Sequence, residues 1–448
     1  MATECSSGMG FRFQRNLTVD FEGGAITGEA GLTLVREFDE RLGLTSSLVS
    51  LVADQRDARY VGHSLLSLVR QRLYQIVAGY EDCNDAKYLR DEPTMQSVAG
   101  EVDESLASQP TLSRLENSAD WDSIRLLESE GAEWFCRYGS TEGEIILDMD
   151  STEDRTYGQQ QLSFFNSHYD SYMYHPLLVF EGSSGVLLSS RLRPGNAAAF
   201  RQAVAMLRPL TRRLRAQFPD RQIGLRADGA FGAPEIMDYA EYAGLKYAIG
   251  FGRNERLHDI VMPLCEKLEL EWECNPGQRL RHYTSFSYQA RRWSRSRRVV
   301  AKIERTRDGM NLRFLVTNRK GRAKEIFDWY EQRGQAENFI KELKNDLSAD
   351  RLSCSKYKAN AFRLQLYAAA YNLLVLFRRH VLAGTQLACA TVMTIRLRLL
   401  KVGARVKRTA RRLWFHIATG WPGRPAFEQA LARIRTLGPP TDGCTFAS

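Results

Sequence analysis

Two apolar runs of this chain end in aspartate. Glu144-Ile-Ile-Leu-Asp-Met-Asp150 has the length and composition of a buried strand and continues into Ser151 and Thr152, while Arg221 to Ala227 closes on Asp228-Gly229. Successive side chains of a strand face opposite ways, so Ile146, Asp148 and Asp150 share one face, and Ile145, Leu147 and Met149 the other. A carboxylate at the end of a buried strand is costly without a partner. Capping the next turn accounts for either aspartate taken alone.

A third acid lies in Tyr330-Glu-Gln-Arg333-Gly-Gln-Ala-Glu337-Asn-Phe-Ile-Lys341-Glu-Leu-Lys344. At about 100° per residue, Tyr330, Arg333, Glu337, Lys341 and Lys344 fall within an arc of roughly 80°, beside an apolar arc of Trp329, Ala336, Ile340, Leu343 and Leu347. The plain reading is a solvated face with Arg333–Glu337 and Glu337–Lys341 pairs. Gly334 costs helix stability, however, which points to a backbone or ligand approaching closely there. Brought together, Asp150, Asp228 and Glu337 make a hard, oxygen-rich site for Mg²⁺ or Mn²⁺. Two such ions promote phosphodiester displacement by activating the attacking oxygen and stabilising the leaving one. Arg and Lys around them would hold a phosphate backbone.

The elements positioning these acids read as a mixed α/β sheet. Hairpin strands are expected over Tyr174–Glu181 and Val186–Arg191, a helix over Ala197–Phe218, a strand to Ala227, a helix over Glu235–Ala243 and a strand over Lys246–Phe251. Residues 253–322 read as a β-rich insert, with strands at His282–Tyr288, Arg298–Ile303 and Leu312–Thr317. One long helix is expected from Lys324 to Leu347, and further basic helices over Ala359–Arg379 and Val392–Ile417. Residues 27–117 also read as helical. There Ser108 and Pro110 open a short helix carrying Gln109, Thr111 and Arg114, which suits either a DNA groove or simple packing.

The 448 residues allow two to four domains, and 44% hydrophobic with 26% charged residues is ordinary globular composition. The net charge of +9 is unevenly spread. Fifteen of the 62 Lys and Arg lie between Asp350 and Glu428 with no acid among them, and elsewhere acids outnumber bases. Concentrated positive charge suits a polyanion. The start lacks a secretory pattern and no run is apolar enough to span a bilayer, so a soluble intracellular chain is expected. Eight scattered cysteines without a Cys-x-x-Cys pair read as reduced thiols, Cys265 and Cys274 being at most half a metal site.

The spacing Tyr330-x2-Arg333-x3-Glu337-x6-Lys344 resembles the Y-R-E-K signature of bacterial insertion-sequence transposases of the DDE type. The resemblance extends to Leu147-Asp-Met-Asp150-Ser-Thr152, Tyr157-Gly-Gln159, Tyr174-His-Pro-Leu-Leu178, Leu192-Arg-Pro-Gly-Asn196 and Arg226-Ala-Asp228-Gly-Ala-Phe-Gly232. It also covers Gln71–Asp82 and Leu106–Asn117, and spans about residues 25–420.

What it implies is an RNase H-like catalytic core interrupted by a β-strand insertion, with helical N- and C-terminal regions. The implied organisation is an end-binding domain over 1–143, core over 144–252, insertion over 253–322, the Glu-bearing helix over 323–350 and a basic helical region over 351–448. The resemblance places the metal-binding catalytic acids on Asp150, Asp228 and Glu337, with Asp148 a rival for the first. It places phosphate contacts on Tyr330, Arg333 and Lys344, beside Lys341 on the same helix face. Arg291, Arg292, Trp293, Arg295, Arg297 and Arg298 of the insertion are candidates to grip backbone or an unstacked base, a solvated basic hairpin being the plain alternative. His168 and His175 read as structural.

The expected activity is cleavage and strand transfer at terminal inverted repeats with two Mg²⁺ ions per site, Mn²⁺ substituting. A homodimer would hold two ends in the bacterial cytoplasm, and a hairpin intermediate would sever the second strand. A host nuclease on the same core and a non-catalytic DNA-binding descendant are the other classes open at this point.

Overall fold

A computed structural model of the chain describes residues 9–100, 104–140, 142–275 and 277–438. The chain forms two compact units. The larger, Ser50–Gln55 with Arg114–Leu376, is built on an eight-stranded mixed sheet. Its strands are β1 (Ile145–Ser151), β2 (Leu177–Glu181), β3 (Leu187–Arg191), β4 (Ile223–Ala227), β5 (Lys246–Phe251), β6 (Leu280–Tyr288), β7 (Arg297–Thr306) and β8 (Gly309–Thr317). They lie in the order β6-β7-β8-β5-β4-β1-β2-β3. β4 runs parallel to both β1 and β5, and all other pairings are antiparallel.

β1 and β4 sit at the sheet's centre, which is why they read as nearly unbroken apolar runs: Ile145, Leu147, Met149, Ile223, Leu225 and Ala227 are fully buried. The edge strand β3 is covered by the helix Tyr357–His380. Asn372 accepts from Leu187 N and donates to Leu187 O, each at 2.8 Å, and Gln365 donates to Ser190 O, so amide side chains satisfy an edge that would otherwise invite another strand.

Three expectations are corrected here. Within 253–322, Glu255–Cys274 is a 20-residue helix, and β6 to β8 continue the central sheet outward from β5. Its buried Leu257, Val261, Cys265 and Leu268 recur at helical spacing, with Pro263 inside. The single helix over 324–347 is three pieces: Ala323–Glu331, Gly334–Lys341 and a π turn at Glu342–Asp346. Finally, the helix expected over Val392–Ile417 ends at Leu400, and β9 (Ala404–Thr409) and β10 (Arg412–Ile417) follow as a hairpin.

Among the described residues, the smaller unit comprises 9–49, 56–100, 104–113 and 377–438. Segments expected in separate end regions thus contribute to one unit. Helices Leu32–Leu42 and Leu65–Ala78 lie within the stretch that reads as helical. They are joined by buried Asp39, which accepts from Tyr74 Oη at 2.5 Å and from Thr45 N and Oγ1 at 2.7 and 2.6 Å. Arg396 donates to Val77 O at 2.9 Å, and Ile26–Thr27 pairs with β9. Among the described residues no helix is long and apolar enough to cross a membrane, and Cys265 and Cys274 are free thiols.

Candidate active site

β1 and β4 are parallel neighbours whose register sets Asp148 opposite Arg226 and Met149 opposite Ala227. Asp150 and Asp228 are the next residue of each chain segment, so both emerge at the same edge of the sheet. Register therefore converts two sequence-distant aspartates into neighbours.

Asp148 is engaged within the sheet. It is fully buried, and Arg226 donates to its two oxygens from Nε and Nη2, both at 2.6 Å. Arg226 Nη1 donates to Trp329 O at 2.8 Å, and its guanidinium lies 5.3 Å from that ring. Burial pushes the Asp148 carboxyl upward, with Arg226 acting against it. Only a glycine fits alongside, since a Cβ on Gly182 would come within 2.6 Å of both Arg226 Nη2 and Asp148 Oδ2. With both oxygens engaged, Asp148 braces the sheet, while Asp150 lies partly buried at the strand's end. From sequence, Arg226 enters only within the Arg226–Gly232 motif and Trp329 only in an apolar helix arc. The available signal was one Arg and one Asp of opposite charge inside two apolar strands, each two residues before a terminal Asp.

Asp150 accepts from Arg333 Nη1 at 2.9 Å and from Ser151 N at 2.9 Å. Burial raises its carboxyl to about 6, the charge of Asp228 adds to this, and Arg333 opposes it. Asp228 caps the Gly229–Phe231 turn by accepting from Ala230 N at 2.9 Å, so turn-capping and proximity to Asp150 coexist in one residue. β5 presses against this turn, and a Cβ on Gly250 would stand 2.6 Å from Gly229 N. The hydroxyls of Tyr330 and Tyr169 are raised by burial, with both carboxylates contributing. Tyr169 is a further neighbour that the sequence did not flag.

Glu337 lies on the exposed side of Gly334–Lys341, its Oε1 3.9 Å from Arg333 Nη2. One guanidinium therefore stands between Asp150 and Glu337. Among the described residues no three Asp, Glu, His or Cys side chains are arranged to hold a metal ion. Two neighbouring carboxylates, with Asp150 held up by burial and the charge of Asp228 adding to it, are nevertheless a hard-oxygen donor set that a divalent cation suits. Lys344 donates to Glu153 O at 2.6 Å and lies 3.3 Å from Thr152 Oγ1, holding the segment just past β1. Lys341 is exposed. Nothing lies within 4 Å of a Cβ built on Gly334, so the close protein approach expected there is absent, and this glycine instead opens the second helix.

The remaining candidates divide. Trp293 is buried against Phe251 and Tyr288 at 5.1 and 5.6 Å between ring centroids, with Arg297 5.5 Å from its ring, which leaves no open face for a base. Arg297 is buried on Asp238 and Glu241, Arg295 pairs with Glu241, and Arg298 donates to Arg319 O and Gly321 O. Arg291, Arg292 and Arg114 are exposed, and Gln109 is half-buried at the start of the helix Gln109–Ser118.

The sequence model of the family described as transposase DDE domain group 1 matches residues 9–439. No curated protein sequence matches. Among solved structures, the chain is similar to the piggyBac transposase in a cryo-EM synaptic complex with hairpin DNA, at 13% identity and a TM-score of 0.46, covering 88% of this chain and 82% of that one.

Proposed function

From the premise that this chain belongs to the transposase DDE domain group 1 family, we infer that Asp150, Asp228 and Glu337 are its catalytic acids. The reaction is cleavage of DNA at the ends of a mobile element, then transfer of the freed 3′-hydroxyl to target DNA. The observation carrying this reading is the emergence of Asp150 and Asp228 side by side from parallel strands, with Arg333 touching Asp150 and lying 3.9 Å from Glu337. The order β3-β2-β1-β4-β5, antiparallel on one side of β1 and parallel on the other, supports an RNase H-like core. β6 to β8 then form the strand insertion between the second Asp and the Glu.

Asp150, Asp228 and Glu337 would hold Mg²⁺ or Mn²⁺, which when bound activates the attacking oxygen and neutralises the leaving one. Arg333 and Tyr330, beside both aspartates, orient the phosphate being cut. Lys344 keeps Thr152 and Glu153 in place at the end of β1, and exposed Lys341, Arg291, Arg292 and Arg114 add backbone contacts. A homodimer holding two ends, a DNA hairpin as the route through the second strand and a bacterial insertion sequence as the substrate complete the reading.

The test uses labelled DNA carrying the inverted repeats that flank the gene, incubated with protein and Mg²⁺, with 3′-hydroxyl products mapped. Cleavage at the repeat ends and joined products by wild type, both lost in Asp228→Asn, is the expected result. Equal cleavage by the variant removes the assignment, and cutting without end preference or joining moves the chain to a host nuclease.

A further inference from the structure

The β9–β10 hairpin presents a basic surface. Its register sets Arg405 opposite His416, Lys407 opposite Trp414 and Thr409 opposite Arg412, across a two-residue turn of Ala410 and Arg411. These six paired side chains share one face, and all are exposed. Ala404, Val406, Leu413, Phe415 and Ile417 share the other and are half-buried or buried, with exposed Arg408 at its turn end. The ribbon thus has an apolar side that packs and a polar side that does not.

Residues 404–417 carry Arg405, Lys407, Arg408, Arg411 and Arg412 without an acid. On the central sheet several cations meet acids: Arg279 and Arg281 share Glu304, Lys302 meets Glu331 and Arg305 meets Glu269. No ion pair involves Arg405, Lys407 or Arg412 among the described residues. Uncompensated like charges along a strand repel unless an anion lies across them. Trp414 is 43% exposed, with the His416 ring parallel to it at 5.9 Å and the Arg412 guanidinium 5.9 Å from its ring, so the aromatic surface extends the cationic one.

Shape selects among polyanions. Six residues per strand give a two-stranded ribbon about 20 Å long, and the major groove of duplex DNA, about 12 Å wide, admits such a ribbon. We propose that β9–β10 docks duplex DNA, lying in the major groove with Arg405, Lys407 and Arg412 on the bordering phosphates. This rests on the DNA-processing reading above and adds to it a surface in the smaller unit.

The experiment measures binding of the full chain to a 30-base-pair duplex of arbitrary sequence and to one of its strands alone, in EDTA, across a salt series. Each phosphate contact contributes about 0.9 to the slope of log affinity against log salt, so Arg405→Gln/Lys407→Gln/Arg412→Gln should flatten that slope by ~2.7 and weaken binding about tenfold or more near physiological salt. Lys407→Gln alone should flatten it by ~0.9. Arg424→Gln, which removes a cation already paired with Glu428 at 2.8 Å, should leave it unchanged. An unaltered slope and affinity in the triple variant overturn the ribbon while leaving the transposase reading intact, and so does wild-type preference for the single strand. A wild-type chain that binds neither DNA overturns both.

Discussion

Asp148 and Arg226 close on each other through two 2.6 Å hydrogen bonds in the buried centre of the sheet. Each residue lies two positions before a proposed catalytic aspartate, and Arg226 also reaches Trp329 O, next to Tyr330. One guanidinium thereby ties together all three segments that bear the site. Removing one member of a buried pair strands the other charge, at about 3–5 kcal/mol. Asp148→Asn and Arg226→Met should each lose that much stability in urea unfolding, and the double variant should lose less than the two combined. Wild-type stability in either single variant would show that the pair does not brace the site.

Asp150 carries a dependence on pH, because burial holds its carboxyl up at about 6. The unfolded chain releases this proton near pH 4 and the folded chain near pH 6, so the contribution is present below about pH 4 and is lost as pH rises through 6. The two-unit difference corresponds to about 2–3 kcal/mol. Asp150→Asn, which keeps the neutral form at every pH, should therefore gain stability relative to wild type between pH 4 and 7. Mg²⁺ should stabilise wild type at pH 7, by about 2.7 kcal/mol at 100 times its dissociation constant, and leave Asp150→Asn unmoved. Parallel pH–stability curves for the two proteins would rule out the shifted carboxyl.

Gly250 tests how tightly the second acid is placed. A methyl group there meets Gly229 N at 2.6 Å and the Asp228 carbonyl carbon at 3.0 Å, and neither backbone atom can swing aside as a side chain can. Gly250→Ala should cost about 1–3 kcal/mol. It should also lower end cleavage by about 100-fold, the usual effect of a displacement near 1 Å at a reacting centre. Full activity with unchanged thermal stability would mean that the turn at Asp228 tolerates movement.

Legibility followed locality. The strands at Ile145–Ser151 and Lys246–Phe251 and the Leu177–Arg191 hairpin read correctly because strands buried on both faces are short apolar runs bounded by turns. The helix at Glu255–Cys274 was obscured by Pro263 and by the aromatic strands that follow it. β9 and β10 were absorbed into a helix because a basic stretch with scattered apolar residues satisfies both periods over so few residues. At the proposed site, the resemblance places the acids on Asp150, Asp228 and Glu337, but preferring Asp150 to Asp148 rests on which side chain Arg226 faces. That is a matter of strand register, which no local pattern encodes.

Glu337 separates chemistry from folding most cleanly. Its side chain is 59% exposed and its nearest cation, Arg333 Nη2, is 3.9 Å away, so Glu337→Gln removes little that holds the fold together. Its unfolding free energy should stay within about 0.5 kcal/mol of wild type. If Glu337 joins the two aspartates on the metal, end cleavage should nonetheless fall by more than about 100-fold, beyond what loss of an outer partner of a metal ligand costs. Duplex binding in EDTA should be unaltered, since the Gln keeps the shape and the cations remain. A Glu337→Gln protein that cleaves ends at the wild-type rate would return this residue to an ordinary solvated helix face and leave Asp150 and Asp228 without their third carboxylate.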